Sequence, residues 1–361
     1  MERREQACRG CLLGLAVGDA MGYTVDKKNW EEICEDYGPN GLLGYDLANG
    51  CAEITSYTQL AAFVGNGLLL GVNRGHTEKY SRYMAMSLKE WLKSQMTRGE
   101  MDKTYCWLAQ VPQLRRRHCA DTRMQDVLAR DALGTPEKPV FKSDSPGAIT
   151  TAVAVGLLYD RAWMNPNQVG RLGAEAVAFT NGDPESFLSG AVLAYSIAGI
   201  LQKPEKDLSQ QFLQALEMVQ TQFGEDFPQV ALLQQKVNRA LDLAKDAEIS
   251  PLAAISMLGC TTAPECLAGA VYAANLHPDN FDEAVIVAIN HSGRSCAVGA
   301  LTGAILGAKL GAEALPEFYL ECLEAASVLE ELATDIAVGR QVMQIFDDSW
   351  DQKYVQGMPA K

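Results

Sequence analysis

His291-Ser-Gly-Arg-Ser-Cys-Ala-Val-Gly-Ala-Leu-Thr-Gly-Ala-Ile-Leu-Gly307 reads as a short polar loop feeding a Gly- and Ala-rich helix. Within it Gly299, Gly303 and Gly307 recur every fourth residue. Gly10, Gly14, Gly18 and Gly22 do the same in Gly10-Cys-Leu-Leu-Gly-Leu-Ala-Val-Gly-Asp-Ala-Met-Gly22. A spacing of four lines side chains along one face of a helix. Each helical glycine costs about 1 kcal/mol against alanine, so two such rows need an offsetting gain. Close approach of a neighbouring backbone or a ligand to the helix axis supplies one. Tight core packing and a shared floor beneath one site both fit the pattern.

Outward from these two segments, helical periodicity dominates and strand signals are scarce. Amphipathic or buried helices are predicted over 60–70, 78–95, 148–159, 166–179, 184–201, 208–223, 229–246, 263–274, 281–289, 297–310 and 317–345. Asn181-Gly-Asp183-Pro184 places a capping aspartate before a first-turn proline, and His277-Pro-Asp279-Asn-Phe-Asp-Glu283 places acids at a helix start. No fixed-period repeat and no Ser/Gly linker divides the chain. The prediction is one all-α domain over residues 1–345, followed by a polar tail over 346–361.

Composition bounds the partners. With 45 acidic against 31 basic residues the net charge is −14, a field that repels nucleic acid and anionic lipid. Arg115-Arg-Arg-His118, the one basic run, reads as a solvated helix end. No run of 18 apolar residues occurs, so no membrane span is expected. The charged start Met1-Glu-Arg-Arg-Glu-Gln does not resemble a secretory signal, and a cytoplasmic location is expected. Ten scattered cysteines point to buried thiols in a reducing compartment. Cys8-x-x-Cys11 lacks the second pair that a zinc site requires.

The glycine segments also carry a family pattern. Residues Gly10 to Gly22 resemble the opening helix of the ADP-ribosylglycohydrolase family. Thr180-Asn-Gly-Asp-Pro-Glu185 is similar to that family's mid-chain Thr-His-Gly-Asp-Pro turn. Ala288-Ile-Asn-His-Ser-Gly-Arg-Ser-Cys-Ala-Val-Gly-Ala-Leu-Thr-Gly-Ala-Ile-Leu-Gly307 resembles its closing signature, and Ser145-Pro-Gly-Ala-Ile-Thr-Thr-Ala-Val-Ala-Val-Gly156 matches its third block more weakly. The landmarks keep family order from residue 10 to about 345. The resemblance implies a compact, roughly orthogonal bundle of many helices.

It also implies a chemistry that the residues do not support. Active members hold two Mg or Mn ions with a Thr-Asp-Asp block and an Asp-x-Asp-Thr block, position ADP-ribose on them, and cleave an N- or O-glycosidic bond. Here the corresponding stretches are Thr55-Ser56-Tyr57 and Arg294-Ser295-Cys296-Ala297, so only Thr55 is kept among six ligand positions. Mg and Mn take hard oxygen donors, usually with carboxylate charge. Arg294 would repel a cation and Cys296 is too soft. No metal cofactor is therefore expected, and the question of activity separates from the fold.

The residues expected around the old cleft are Asp19, Asp26, Thr55, Ser56, Tyr57, Asn290, His291, Arg294 and Cys296. Asp26 falls near the position where active relatives carry a functional Glu, which makes it the catalytic candidate, a carboxylate that orients water. Arg294 has two readings: a fixed cation for an anionic diphosphate, or a salt-bridge partner of Asp19, Asp26 or Glu53 that closes the site. Asp19 lies inside a helix and needs partners if ionised, and Asp183 reads as a cap. His291 and Cys296 raise a thiol–imidazole pair without an orienting acid, beside the plainer reading of Cys296 as a small buried residue. His76, His118 and His277 read as ordinary turn residues. No Walker, Gly-x-Ser-x-Gly or His-Glu-x-x-His motif occurs. The functional expectation is a metal-independent binder of an ADP-ribose-like ligand or a scaffold for another protein, an ADP-ribosylated protein included. The alternative is a hydrolase with relocated metal ligands or a metal-free mechanism.

Overall fold

The computed structural model describes residues 2–99, 101, 104–118, 122–159, 164–339 and 348–354. These form seventeen α-helices in chain order. The first six are α1 (Glu2–Val25), α2 (Trp30–Tyr37), α3 (Ser56–Asn73), α4 (Tyr80–Met96), α5 (Thr122–Leu128) and α6 (Thr151–Leu158). Next come α7 (Pro166–Ala178), α8 (Pro184–Gln202), α9 (Leu208–Phe223), α10 (Val230–Leu243), α11 (Pro251–Met257) and α12 (Ala263–Leu276). The last are α13 (Phe281–Ile289), α14 (Ser295–Leu310), α15 (Glu317–Cys322), α16 (Ala326–Val338) and α17 (Asp348–Tyr354). Among the described residues there is no strand, only two isolated β-bridges, and the all-α expectation holds.

The two glycine rows face each other. α1 and α14 run antiparallel and form the most extensive helix pair of the fold. Gly10 sits against Gly307, Gly14 against Gly303, Gly18 against Gly299, and Gly22 against Ser295. A Cβ on Gly18 would lie 1.9 Å from the Gly299 carbonyl oxygen, and one on Gly303 would lie 1.9 Å from that of Gly14. Only glycine lets two helices meet backbone to backbone, where weak Cα–H···O contacts add to dispersion. Of the two readings of the rows, close helix packing is therefore what the structure contains. Around this pair stand α3, α12, α13 and α16. α3 and α14 are buried on all sides over residues 56–72 and 295–308, the condition under which a helix needs no polar face.

Asp183 caps α8 as expected, accepting from the Glu185 and Ser186 amides. α8 is long and apolar enough to span a membrane, but 72% of that stretch is buried in the fold, as a core helix is. One reading needs correction. The helix expected over 317–345 breaks into α15 and α16 at Leu323–Ala325, where Ala325 takes φ 58°. The break lets Leu323 bridge to Ala52 and turns Glu324 inward to accept from the Ile54 amide at 3.1 Å, claims that helical periodicity does not record. Its end, 340–345, lies outside the described residues.

Arg115–Arg117 is a largely exposed helix end, following a 3-10 turn over Gln113–Arg115, and its guanidiniums also serve neighbouring groups. Arg115 Nη2 donates to Thr97 O and Arg117 Nε to Gln95 O, each at 2.7 Å, satisfying carbonyls at the end of α4. Arg116 Nη1 pairs with Glu324 Oε1 at 2.9 Å. Within the expected polar tail, α17 docks: Trp350 Nε1 donates to Asn73 Oδ1 at 3.0 Å, and Tyr354 Oη donates to Asp335 Oδ2 at 2.8 Å. Nine cysteines lie among the described residues, all as free thiols. Cys8 and Cys11 are fully buried, and burial pushes the Cys8 thiol up to about 11. A reactive or metal-binding use of that pair does not fit such a site.

Candidate functional site

Asp19 and Tyr23 stand at i and i+4 on one face of α1, and Asp26 follows in the turn just past its end. The two carboxylates each reach the N-terminus of another helix. Asp19, fully buried, accepts from the Thr55 amide at 2.8 Å and Thr55 Oγ1 at 2.7 Å. It also accepts from the Thr58 amide at 3.2 Å and Thr58 Oγ1 at 2.6 Å. These donors open α3, for which Thr55 is the N-cap, its Oγ1 accepting from the Tyr57 amide. Burial pushes the Asp19 carboxyl up to about 6, and the threonine donors oppose that rise. At neutral pH it is ionised at the positive end of a helix.

Asp26 performs the same task for α14. Its Oδ1 accepts from the Cys296 amide at 3.3 Å and lies 3.8 Å from Arg294 Nε. Burial raises its pKa, and Arg294 and the Cys296 amide pull it back. Of the acids considered as partners for Arg294, Asp26 is the one beside it. Tyr57, only 1% exposed, lies close enough for Arg294 to oppose the burial that raises its phenol well above the ordinary range. Tyr57 Oη, Arg294 Nε and Asp26 Oδ2 are all buried and make no hydrogen bond of normal geometry. The centre is a cluster of one guanidinium, one carboxylate and one phenol, of which the carboxylate and the phenol are buried and the guanidinium side chain is partly exposed.

The donor set does not fit two divalent ions. The Thr55 hydroxyl is committed to Asp19 and to the α3 cap, Ser56 and Tyr57 are neutral, and a guanidinium stands at the first position of the second block. Among the described residues no three His, Cys, Asp or Glu side chains converge to hold a metal.

The other nominated residues serve the backbone. Asn290 Oδ1 accepts from the Leu42 amide at 2.8 Å, and its Nδ2 donates to Leu42 O at 2.9 Å and Ile286 O at 2.8 Å. This clamps the loop after α2 to the end of α13. Gly41 meets the clamp at φ 69°, where a Cβ would come 2.2 Å from Asn290 Oδ1. His291 Nδ1 accepts from the Gly293 amide at 2.9 Å, which leaves Nε2–H to donate to Ala288 O at 3.0 Å. Burial lowers its pKa to about 4. With both nitrogens committed, His291 is no base for Cys296, which is itself fully buried. Ser56 is buried and its amide donates to His118 O. Arg294, with 30% of its side chain exposed, is the part of the nominated set that reaches the surface.

Beside this cluster opens a cleft of about 270 Å³, lined by Ala20, Tyr23, Tyr37, Tyr45, Cys51 and Glu53 among others. Tyr23 stacks on His118, with centroids 5.4 Å apart and planes at 21°. His118 Nε2 lies 3.7 Å from Glu53 Oε2. Tyr37 Oη donates to Asp46 Oδ2 at 2.8 Å. Tyr23 does not stand out in the sequence and His118 reads as an ordinary turn residue; the helical spacing of Tyr23 four residues after Asp19 is the available signal.

A family model described as ADP-ribosylglycohydrolase matches residues 1–345. A protein of Archaeoglobus fulgidus described as an uncharacterized protein is 26% identical over 342 residues, spanning 92% of this chain and 96% of its own length. A solved chain described as belonging to an ADP-ribosylglycohydrolase-related protein complex superposes with a TM-score of 0.58 at 20% identity. It covers 94% of this chain and 100% of its own, and at that identity the likeness speaks to fold.

Proposed function

The chain belongs to the ADP-ribosylglycohydrolase family, and from that premise we propose that it works by binding and not by two-metal hydrolysis. The ligand is ADP-ribose-like, free or carried on a protein, and it is held without a metal. The observation that carries this reading is Arg294. It stands at the N-terminus of α14, at the position of the family's closing ligand block, paired to Asp26 and still partly exposed. A guanidinium at a helix N-terminus offers a diphosphate fixed positive charge and directed donors. The tyrosines of the adjoining cleft give a base aromatic faces. The closure of Thr55, Ser56, Tyr57 and Cys296 favours a second reading, a scaffold that engages another protein with the old site sealed.

A working hydrolase is the rival, and Asp26 would be its water-orienting carboxylate. Its pairing to Arg294 and to the Cys296 amide speaks against that role. The acidic charge of the chain supports a small-molecule or protein partner over nucleic acid or membrane, and a cytoplasmic location remains part of the proposal.

Calorimetric titration of ADP-ribose into chelator-treated protein, repeated with Mg and Mn, separates these readings. Heat that is the same with and without metal supports the Arg294-centred binder. Binding that needs a metal returns the hydrolase reading. No binding in any condition removes the binder and leaves the scaffold.

A further inference from the structure

The bridge between Ala52 and Leu323 brings two cysteines into register. The Ala52 amide donates to Cys322 O at 2.9 Å and the Glu324 amide donates to Ala52 O at 3.0 Å. These are the paired hydrogen bonds of one parallel bridge. Cys51 and Cys322 immediately precede the two bridged residues, Cys51 closing a turn from Ala48 and Cys322 ending α15. The Cys322 carbonyl accepts from the amide that directly follows Cys51, so one hydrogen-bonded peptide step joins the two cysteines, and Cys322 is near enough to help raise the Cys51 pKa.

Exposure singles the same pair out. Cys8, Cys11, Cys106, Cys260, Cys266 and Cys296 are at most 1% exposed. Cys51 and Cys322 are free thiols and both partly open. Cys34, on α2, is the other partly open thiol among the described cysteines. We propose that Cys51 and Cys322 are an oxidative modification site, a dithiol that closes to a disulfide between the lip of the α1 cleft and the α15–α16 corner.

The chemistry needs a small-molecule disulfide such as oxidised glutathione. One protein thiolate attacks it, forming a mixed disulfide and releasing one glutathione thiolate. The second protein thiolate then attacks the protein sulfur of that mixed disulfide and expels the other. Two protein thiols are oxidised and one disulfide is reduced to two thiols. Because burial raises the Cys51 pKa, closure is faster in mildly alkaline solution, where more thiolate is present. Cys51 lines the cleft, so the bridge would fix that wall to the body of the fold.

The test is incubation of the full chain with oxidised glutathione at about pH 8, followed by peptide mapping without reductant and by thermal melting. The expected result is a Cys51–Cys322 cross-linked peptide and a raised Tm that dithiothreitol reverses. Cys51→Ser and Cys322→Ser each lose both signals, and Cys34→Ser keeps both. Glutathione adducts on Cys51 and Cys322 without a bridge would overturn the proposal. So would a bridge that uses Cys34, or two thiols that stay reduced.

Discussion

Gly18→Ala is the sharpest test of how this fold is held together. In an exposed helix the substitution stabilises by about 1 kcal/mol. Here the new methyl would lie 1.9 Å from the Gly299 carbonyl oxygen and 2.4 Å from its carbon, both well inside the 3.0 Å that real Cβ contacts respect. The obstacle is helix backbone, so no side chain can rotate away. Relief requires α1 and α14 to separate, which loosens the contacts of Gly10, Gly14 and Gly22 along the same seam. Overpacking of this kind costs about 1–3 kcal/mol, and lost contacts along the seam add to it. Set against the propensity gain, the expected net loss is about 2 kcal/mol. Urea denaturation followed by circular dichroism reads it as a lower midpoint at unchanged slope. Gly299→Ala should cost as much, and the double variant less than the sum, because the first methyl has already parted the helices. Gly44→Ala, where a Cβ meets nothing, is the control that should be neutral or slightly stabilising. A Gly18→Ala protein as stable as the parent would refute the backbone-contact argument.

Three further outcomes are expected. Arg294→Asp should weaken ADP-ribose binding at least about tenfold, the value of a lost charge-assisted hydrogen bond; an unchanged Kd by calorimetry would sink the fixed-cation reading. The folded-state pKa of His291 is lowered from 6.5 to about 4, so its contribution is present above pH 6.5 and lost as pH falls towards 4. Asp19 is raised from 3.8 to about 6, so its contribution is present below pH 3.8 and lost as pH rises through 6. Each is worth about 3 kcal/mol and they oppose across that window. Asp19→Asn should therefore gain stability from pH 4 to 6, relative to the parent, while His291→Gln should lose it; urea midpoints at three pH values that move in parallel would contradict the assignment. Finally, Ser56→Asp, Tyr57→Asp, Arg294→Asp and Cys296→Asp together should create a chain whose Tm rises with added Mn, whereas the parent's Tm should not respond.

The sequence made some of this legible because some signals are local. Glycines every fourth residue along α1 and α14 mark a helix pair, and the Asp183-Pro184 start marks α8 without any tertiary knowledge. What escaped was decided by distant partners. Nothing in Glu317–Ile345 announces that Glu324 will turn in to serve Ile54 and Arg116, since periodicity reports one face and not its claimants. The guanidiniums of Arg115 and Arg117 are spent on the end of α4, a use invisible until α4 lies beside them. The nominated cleft residues were brought to one region, yet as a largely buried cluster: Thr55 belongs to Asp19 and His291 to its own loop. Residue type fixed their chemistry, and the third dimension fixed how much of it was already committed.

The charge of that cluster explains why it needs no ion. Asp19 on α1 and Asp26 just past its end bring two negative charges. Against them stand Arg294 and the N-termini of α3 and α14, each N-terminus worth about half a positive charge. The centre is then close to neutral as it is built. A divalent ion entering with no added carboxylate would leave about two uncompensated positive charges in a buried volume, a cost of several kcal/mol. Removing Arg294 alone tips the balance the other way, and the cheapest remedy is a proton on Asp26, the carboxyl that Arg294 pairs with and holds down against the effect of burial. Arg294→Ala should therefore push the Asp26 carboxyl higher, seen by carboxyl-carbon NMR of the folded protein as a titration moved towards neutrality. An Asp26 titration that stays where it was would show that Arg294 does not offset that carboxylate.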